Sequence, residues 1–520
     1  MEEAGWAILF LLLILFFFFL STLKRNNNNS NKHKNLPPSP TSLPLIGHLH
    51  HLIKEPLHLS LHNLVQNYGQ ILLLKLGTRN VLVVSSPSAV EECFTKNDIT
   101  FANRPRTLAA KHLNYNQTTV GFARYGDHWR NLRRLTTMEL FSTNRLAMFA
   151  RLREEEVQLL VKQIFDECCM GKKEGAKVEI ELKTKLIDFS FNVMLRMISG
   201  KRYYGKHGVA EGGKEFQILM REFTELEGNG NLNDFFPVLR WVDFQGLEKR
   251  MIELMKKMDR FLQNLLDEHR TNRTSINQKM NMTLIDVMLH LRETEPEFYT
   301  DDNMKGVMLI MLVAGSETSA ITMEWALSLL LNHPEAMVKV RNEIDTKVGK
   351  DQLVKESDLV NLKNLQNVIT ETLRLYPVTP QLLPHESSCD CIVGGFHIPK
   401  GTMLLVNLWT LHRNGELWKD PTRFMPERFE VEGGGGEVCY NMIPFGIGRR
   451  ACPGAVFAKR IMGHTLGALI QCFEFERVGS EEINMKEGLG LTMPRVEPLM
   501  ALCRTRQNMI KVLSKLCVSE

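Results

Sequence analysis

The sequence predicts a mainly α protein with a small β-rich subdomain, preceded by one N-terminal membrane-spanning helix. Three observations lead there. Apolar residues recur at helical spacing from about Pro87 onward, most clearly over Arg145–Cys168, Phe244–Arg270 and Asp302–Asn332. Two short β-type runs, Ile71–Leu76 and Val81–Ser85, flank the turn Gly77–Asn80, and strand-like sequence returns from Cys389 to Val406. Finally, Ala4–Leu23 is almost wholly apolar. A helix needs about 20 such residues to cross a bilayer.

The anchor comes first in the chain. Glu2 and Glu3 precede the apolar run, and Lys24, Arg25, Lys32 and Lys34 follow it. A cleaved signal peptide has the opposite layout, with a basic start and a shorter apolar stretch. The basic flank places everything after Leu23 in the cytosol. The N-x-T sequons at Asn116, Asn272 and Asn281 then carry no sugar. Residues 24–47 read as a polar, Asn-rich spacer followed by a hinge. Pro37, Pro38, Pro40 and Pro44 stiffen that hinge by fixing torsions and removing donors. A plain linker is the alternative to a link that sets how the body sits on the membrane.

Residues 48–520 form the body. Of the 520 residues, 44% are hydrophobic and 24% charged, enough for a core that encloses a cofactor. The net charge of +5 is dispersed, which excludes a nucleic-acid partner that would need a concentrated basic patch. The 10 cysteines show no paired C-x-x-C spacing, which argues against structural zinc or a disulfide framework. The long helix Asp302–Asn332 is framed by the capping sequence Thr300–Asp302 and by Pro334. Gly433–Gly436 is a flexible insertion in a loop.

The most specific stretch is Pro444–Gly454, PFGIGRRACPG. Gly446 and Gly448 permit tight turns and a close approach of backbone to a flat ligand. Helical periodicity starts after Gly454 and runs through Val456, Ile461, Leu466 and Ile470. The sulfur of Cys452 therefore lies near a helix N-terminus, where amides and the dipole favour a thiolate. Arg450, two residues earlier, can pair with an acidic group of the ligand. The residues Gly446–Ala451 also fit the dinucleotide pattern G-x-G-x-x-A. That reading needs a preceding strand within a βαβ unit, which the sequence lacks.

Phe445, Gly448, Arg450, Cys452 and Gly454 match F-x-x-G-x-R-x-C-x-G, and the chain resembles the cytochromes P450 over essentially its whole length. The resemblance implies the cytochrome P450 fold and haem b, with Cys452 as the axial thiolate ligand of the iron. Glu371-Thr-Leu-Arg374 looks like the family's E-x-x-R helix, and Pro426-Glu-Arg428-Phe429 resembles the element whose arginine completes that ionic unit. Spacing alone would allow Glu371 and Arg374 to be a solvated surface pair. Ala314–Ser319, AGSETS, resembles the oxygen-side motif, which makes Glu317 and Thr318 the acid–alcohol pair delivering protons. A glycine amid hydroxyl residues also predicts a local bulge in this helix. Trp129 and Arg133 match W-x-x-x-R, and the resemblance makes them contacts to haem propionates, with His385 as another. An aromatic–basic pair at that spacing is otherwise ordinary packing.

The hinge, Tyr125–Arg134 and Gly490–Pro494 look like the plant microsomal type, closest to the branch holding isoflavone hydroxylases, the sesamin-forming enzyme and some terpenoid hydroxylases. Two departures stand out: Ser39 where relatives often carry glycine, and Glu317 where near relatives often carry aspartate. The resemblance implies an endoplasmic-reticulum monooxygenase that inserts one atom of O₂ into a lipophilic small molecule. Electrons come from NADPH through the membrane-bound NADPH–cytochrome reductase, with a cytochrome b-type donor as a further partner and membrane lipid around the anchor. Substrate contacts are expected from Leu108–Phe122, the long helix before Ala314, Val378–Leu383 and Leu491–Met493. Two other classes remain in view: a haem-thiolate protein without oxygenase activity, and a membrane-tethered structural protein.

Overall fold

The computed structural model describes residues 35–516, apart from 54, 171–176, 204–212, 229, 242, 244, 273–281 and 431–439, together with Leu11 and Phe16. The rest of the expected anchor, the spacer before Asn35, the sequon at Asn281 and Gly433–Gly436 lie outside the described residues. In chain order, the described strands are β1 (Ile71–Leu76), β2 (Arg79–Val84), β3 (Val178–Glu181), β4 (His385–Glu386), β5 (Cys391–Val393), β6 (Phe396–Ile398), β7 (Met403–Val406), β8 (Phe473–Arg477) and β9 (Met500–Thr505). The chain forms two compact units.

The first unit takes in the chain up to Pro105, Leu232–Arg240 and Gln381–Leu411. Its main sheet has the order β1-β2-β7-β4. β1 and β2 form an antiparallel hairpin with Leu76 opposite Arg79, and β2 runs parallel to β7. Gly77 turns the hairpin at φ +55°, and a Cβ there would lie 2.4 Å from the Phe235 carbonyl oxygen. Because β2 is central, Val81–Val84 are all buried. Leu61, Leu64 and Val65 of the helix Leu57–Tyr68 pack with this sheet. The described part of the Pro-rich segment is pinned to β1: Leu73 N–H donates to Pro38 O at 3.0 Å and His48 N–H to Lys75 O at 2.7 Å. Gly47, at φ +63°, passes so close that a Cβ would sit 2.0 Å from Lys75 O.

The second unit is helical, with the sheet β3-β9-β8 beside it. Its axis is the helix Asp301–Asn332. Thr300 caps the start, its hydroxyl accepting from Asn303 N–H, and Pro334 opens the next helix. With a mean hydropathy of 1.5 this helix is apolar enough to cross a membrane, but it is spent inside the protein core. The helix runs unbroken, so the expected bulge near Gly315 is absent. Gly315 serves packing instead: a Cβ there would lie 2.7 Å from Met194 Sδ on the neighbouring helix Leu182–Ser199. The helix expected over Arg145–Cys168 is two, Thr143–Met148 and Ala150–Met170. Buried Arg153 explains the break, because its Nη2 donates to Leu146 O at 2.8 Å and takes the carbonyl a continuous helix would use.

Candidate active site

The cysteine loop is shaped by its glycines and its own backbone. Gly446 and Gly448 sit at φ +68° and +71°. Cys452 N–H donates to Phe445 O at 2.8 Å, and Ala451 N–H to Gly448 O at 3.1 Å. These bonds fold the loop back just before the helix Ala455–Cys472, whose N-cap is Gly454. A Cβ on Gly454 would stand 3.9 Å from Cys452 Sγ. The side chain of Cys452 is accessible. Enclosure by protein nevertheless pushes its thiol pKa up, against the Gly454 amide and the Arg133 charge, which pull it down. A sulfur that is both accessible and enclosed faces an internal space.

Trp129, Arg133 and Arg450 gather at this loop. All come from its sequence neighbourhood or from the helix Asp127–Glu139. Arg133 Nη1 donates to Ala451 O at 2.6 Å. Arg450 donates to Ala123 O at 2.5 Å and Val120 O at 3.3 Å, and its guanidinium lies 4.5 Å over the Trp129 ring. Trp129 Nε1 donates to the same Val120 carbonyl at 3.1 Å. Desolvation lowers the Arg133 pKa. Among the described residues its guanidinium meets no carboxylate. A half-buried cation in that state is ready for an anionic ligand.

Behind the loop lies a buried ionic unit. Glu371 and Arg374 are fully buried and joined twice, Nε–Oε2 at 2.6 Å and Nη2–Oε1 at 2.7 Å. Arg428 Nε reaches Glu371 Oε1 at 3.1 Å, and Met425 N–H reaches it at 3.0 Å. Sequence reasoning foresaw these three residues and missed the fourth. Arg374 Nη1 donates to His412 O at 2.7 Å, and His412 Nε2 accepts from Ile443 N–H at 3.1 Å. Ile443 O in turn accepts from Gly446 N–H at 2.9 Å. A continuous chain of bonds thus joins the ion pair to the turn that shapes the cysteine loop. Burial pushes the His412 pKa down to about 3, keeping the ring neutral so that Nε2 can accept. No local pattern marks His412, because its partners lie 31 and 38 residues away.

The long helix supplies the other side. It is buried from Met304 to Leu331 except at Ala314, Gly315, Glu317 and Thr318. Ala314, Glu317 and Thr318 share one helical face, while Gly315 turns toward Met194. An exposed alanine at the centre of a buried helix marks an open interior space. Thr318 Oγ1 donates to Ala314 O at 2.7 Å, which leaves the oxygen able to accept. Burial raises the Glu317 pKa, and Lys183 pulls it down. His385 lies in the first unit, buried, with Nδ1 donating to Phe101 O at 2.6 Å and its ring edge-on to Phe94.

A family model described as cytochrome P450 matches residues 37–501. The chain belongs to the cytochrome P450 family. It is 50% identical to cytochrome P450 81Q32 of Catharanthus roseus, over 93% of this chain and 94% of the relative. It is 49% identical to isoflavone 3'-hydroxylase of Medicago truncatula, over 91% and 93%. It is 46% identical to (+)-piperitol/(+)-sesamin synthase of Sesamum radiatum, over 92% of each. A zebra fish cytochrome P450 solved with progesterone aligns with a TM-score of 0.74 and 27% identity, covering 87% of this chain and all of that one. This P450 is therefore a haem-thiolate monooxygenase of the plant branch that the motifs resemble. The residues present fit the cofactor: an accessible sulfur at a helix start, and beside it a cation without a carboxylate.

Proposed function

We propose that Cys452 holds the haem iron and that this P450 oxygenates a lipophilic plant specialised metabolite of flavonoid, lignan or terpenoid type, by hydroxylation or by closing a methylenedioxy ring. The observation that carries the oxygenase reading is the open face at Ala314, Glu317 and Thr318 on an otherwise buried helix, with an acid and an alcohol side by side. Haem iron supplies reductive activation of O₂ and transfer of one oxygen atom. For hydroxylation the balance is RH + O₂ + NADPH + H⁺ giving ROH + H₂O + NADP⁺.

The chain's own residues divide the remaining work. Arg133, Trp129 and Arg450 hold the acidic edge of the cofactor, and Phe445 and Gly454 shape the ground around the sulfur; His385 is a further contact. The buried unit of Glu371, Arg374 and Arg428 holds the loop in place without entering the chemistry. Glu317, whose pKa burial raises above the usual carboxylate value, passes protons to Thr318 Oγ1. Residues 1–23 anchor the chain in the endoplasmic reticulum membrane, 24–47 link it, and 48–520 work on the cytosolic side with electrons from NADPH–cytochrome reductase.

The test is the full chain reconstituted with reductase in membranes and offered plant flavonoids, lignans and terpenoids. NADPH- and O₂-dependent product with one added oxygen atom, or with a closed methylenedioxy ring, is the expected result. A protein with an intact CO-bound spectrum that turns over none of these scaffolds contradicts the substrate class.

A further inference from the structure

A polar cluster sits where apolar walls meet in the second unit. The segment following Leu108 lies on the long helix. A Cβ on Gly306 would be 3.6 Å from the side chains of Thr119 and Tyr115, and one on Gly121 would be 3.4 Å from Ile310. The end of the helix Gly213–Gly228 lies against the loop at Leu491, whose amide nitrogen would be 2.4 Å from a Cβ on Gly228. These elements include three of the segments expected from sequence to face the substrate. The helix Gly213–Gly228 was not among them, and it brings a carboxyl group to their junction.

That group is Glu227. Asn114, wholly buried, donates from Nδ2 to Glu227 Oε1 at 3.0 Å, and Thr119 Oγ1 donates to Asn114 Oδ1 at 2.9 Å. The amide is locked, so the carboxyl is locked with it. Glu227 Oε2 makes no bond among the described residues, and the residue keeps accessible surface. The position is unfavourable on structural grounds. The carboxyl stands at a helix C-terminus, where the dipole disfavours negative charge, and it is desolvated. Burial and the facing Glu317 push its pKa up to about 7, against the Asn114 bond. The Glu317 effect also places Glu227 within electrostatic reach of the open helical face described above.

We propose that Glu227, fixed by Asn114, is the polar anchor that accepts a hydrogen bond from a hydroxyl group of an otherwise apolar substrate, and so selects hydroxylated scaffolds over their ethers. The inference rests on the reading of this chain as an oxygenase of lipophilic metabolites. A buried site built to bond a hydroxyl discriminates strongly against a ligand that lacks one, because its own polar group is left unpaired.

The experiment is a spin-state titration of the purified, haem-loaded full chain with a polyhydroxylated isoflavone and with its fully O-methylated ether. Wild type binds the hydroxylated ligand more tightly. Glu227→Leu weakens that ligand by about ten- to hundredfold and the ether by less than about threefold. Glu227→Gln, which keeps a carbonyl acceptor, retains most of the preference. Should the Leu variant not retain its CO-bound spectrum, Asn114→Ala carries the test: the hydroxylated ligand weakens severalfold and the ether does not. Equal loss for both ligands, or none for either, overturns the assignment. A wild type with an intact CO-bound spectrum that binds neither ligand overturns the flavonoid reading beneath the assignment, which is a different failure.

Discussion

The cysteine loop and the open face of the long helix are built by opposite means. Around Cys452 the geometry is over-determined: two positive-φ glycines, a loop closed by its own amides, and a bond relay from Glu371 through Arg374 and His412 to Ile443. Around Ala314 the helix is regular, and the site consists of what it leaves unfilled. On the proposed reading, a thiolate ligand at Cys452 must hold its place through the redox cycle, whereas a substrate chamber along the long helix must admit different shapes. Rigidity is concentrated on one side and space on the other.

Breaking the relay has the largest effect. Glu371→Ala strands Arg374 and Arg428 without their carboxylate, a loss of about 3–5 kcal/mol. Thermal unfolding and haem content should both fall sharply; a variant that keeps its haem and melting temperature would show the relay to be dispensable. On the open side the effect is catalytic. Thr318→Ala removes an alcohol whose side-chain bond, among the described residues, stays within its own helix, so stability changes little. Product formed per NADPH should drop by about an order of magnitude or more, with NADPH consumption maintained. Unchanged coupling would remove Thr318 from the proton path.

The smallest effect sharpens the comparison by pH. His412 has its folded pKa depressed to about 3, below the ordinary value of 6.5. Between those values the unfolded chain binds the proton and the folded one does not, so this residue makes stability fall as pH drops from about 6.5 toward 3. One group contributes at most about 1.4 kcal/mol per pH unit. Denaturation of wild type and His412→Gln at several pH values should give a shallower acid slope for the variant. Identical slopes would mean that the ring is not held neutral by its site.

The same contrast explains what could be read from the sequence. The cysteine loop, the Glu371–Arg374 pair and the cap of the long helix are local patterns, and each appears where its spacing places it. His412 escaped notice because its role depends on partners in two other segments. The break at Phe149 depends on Arg153 reaching back to Leu146, a side-chain bond that no periodicity records. The bulge expected at Gly315 read the glycine as a weak point, when its task is to admit Met194. Glu227 went unread because an acid near the end of an amphipathic helix looks like a solvated surface residue. Only the tertiary fold sets it against Asn114.

The central claim is that Cys452 is the iron ligand. The reduced, CO-bound absorption spectrum of wild type and Cys452→Ser tests it most directly. Wild type should show the red-shifted Soret band of a thiolate-ligated haem, and the variant should lack it even where haem is retained. A Cys452→Ser protein that keeps that band would place the ligand on another residue and contradict the account.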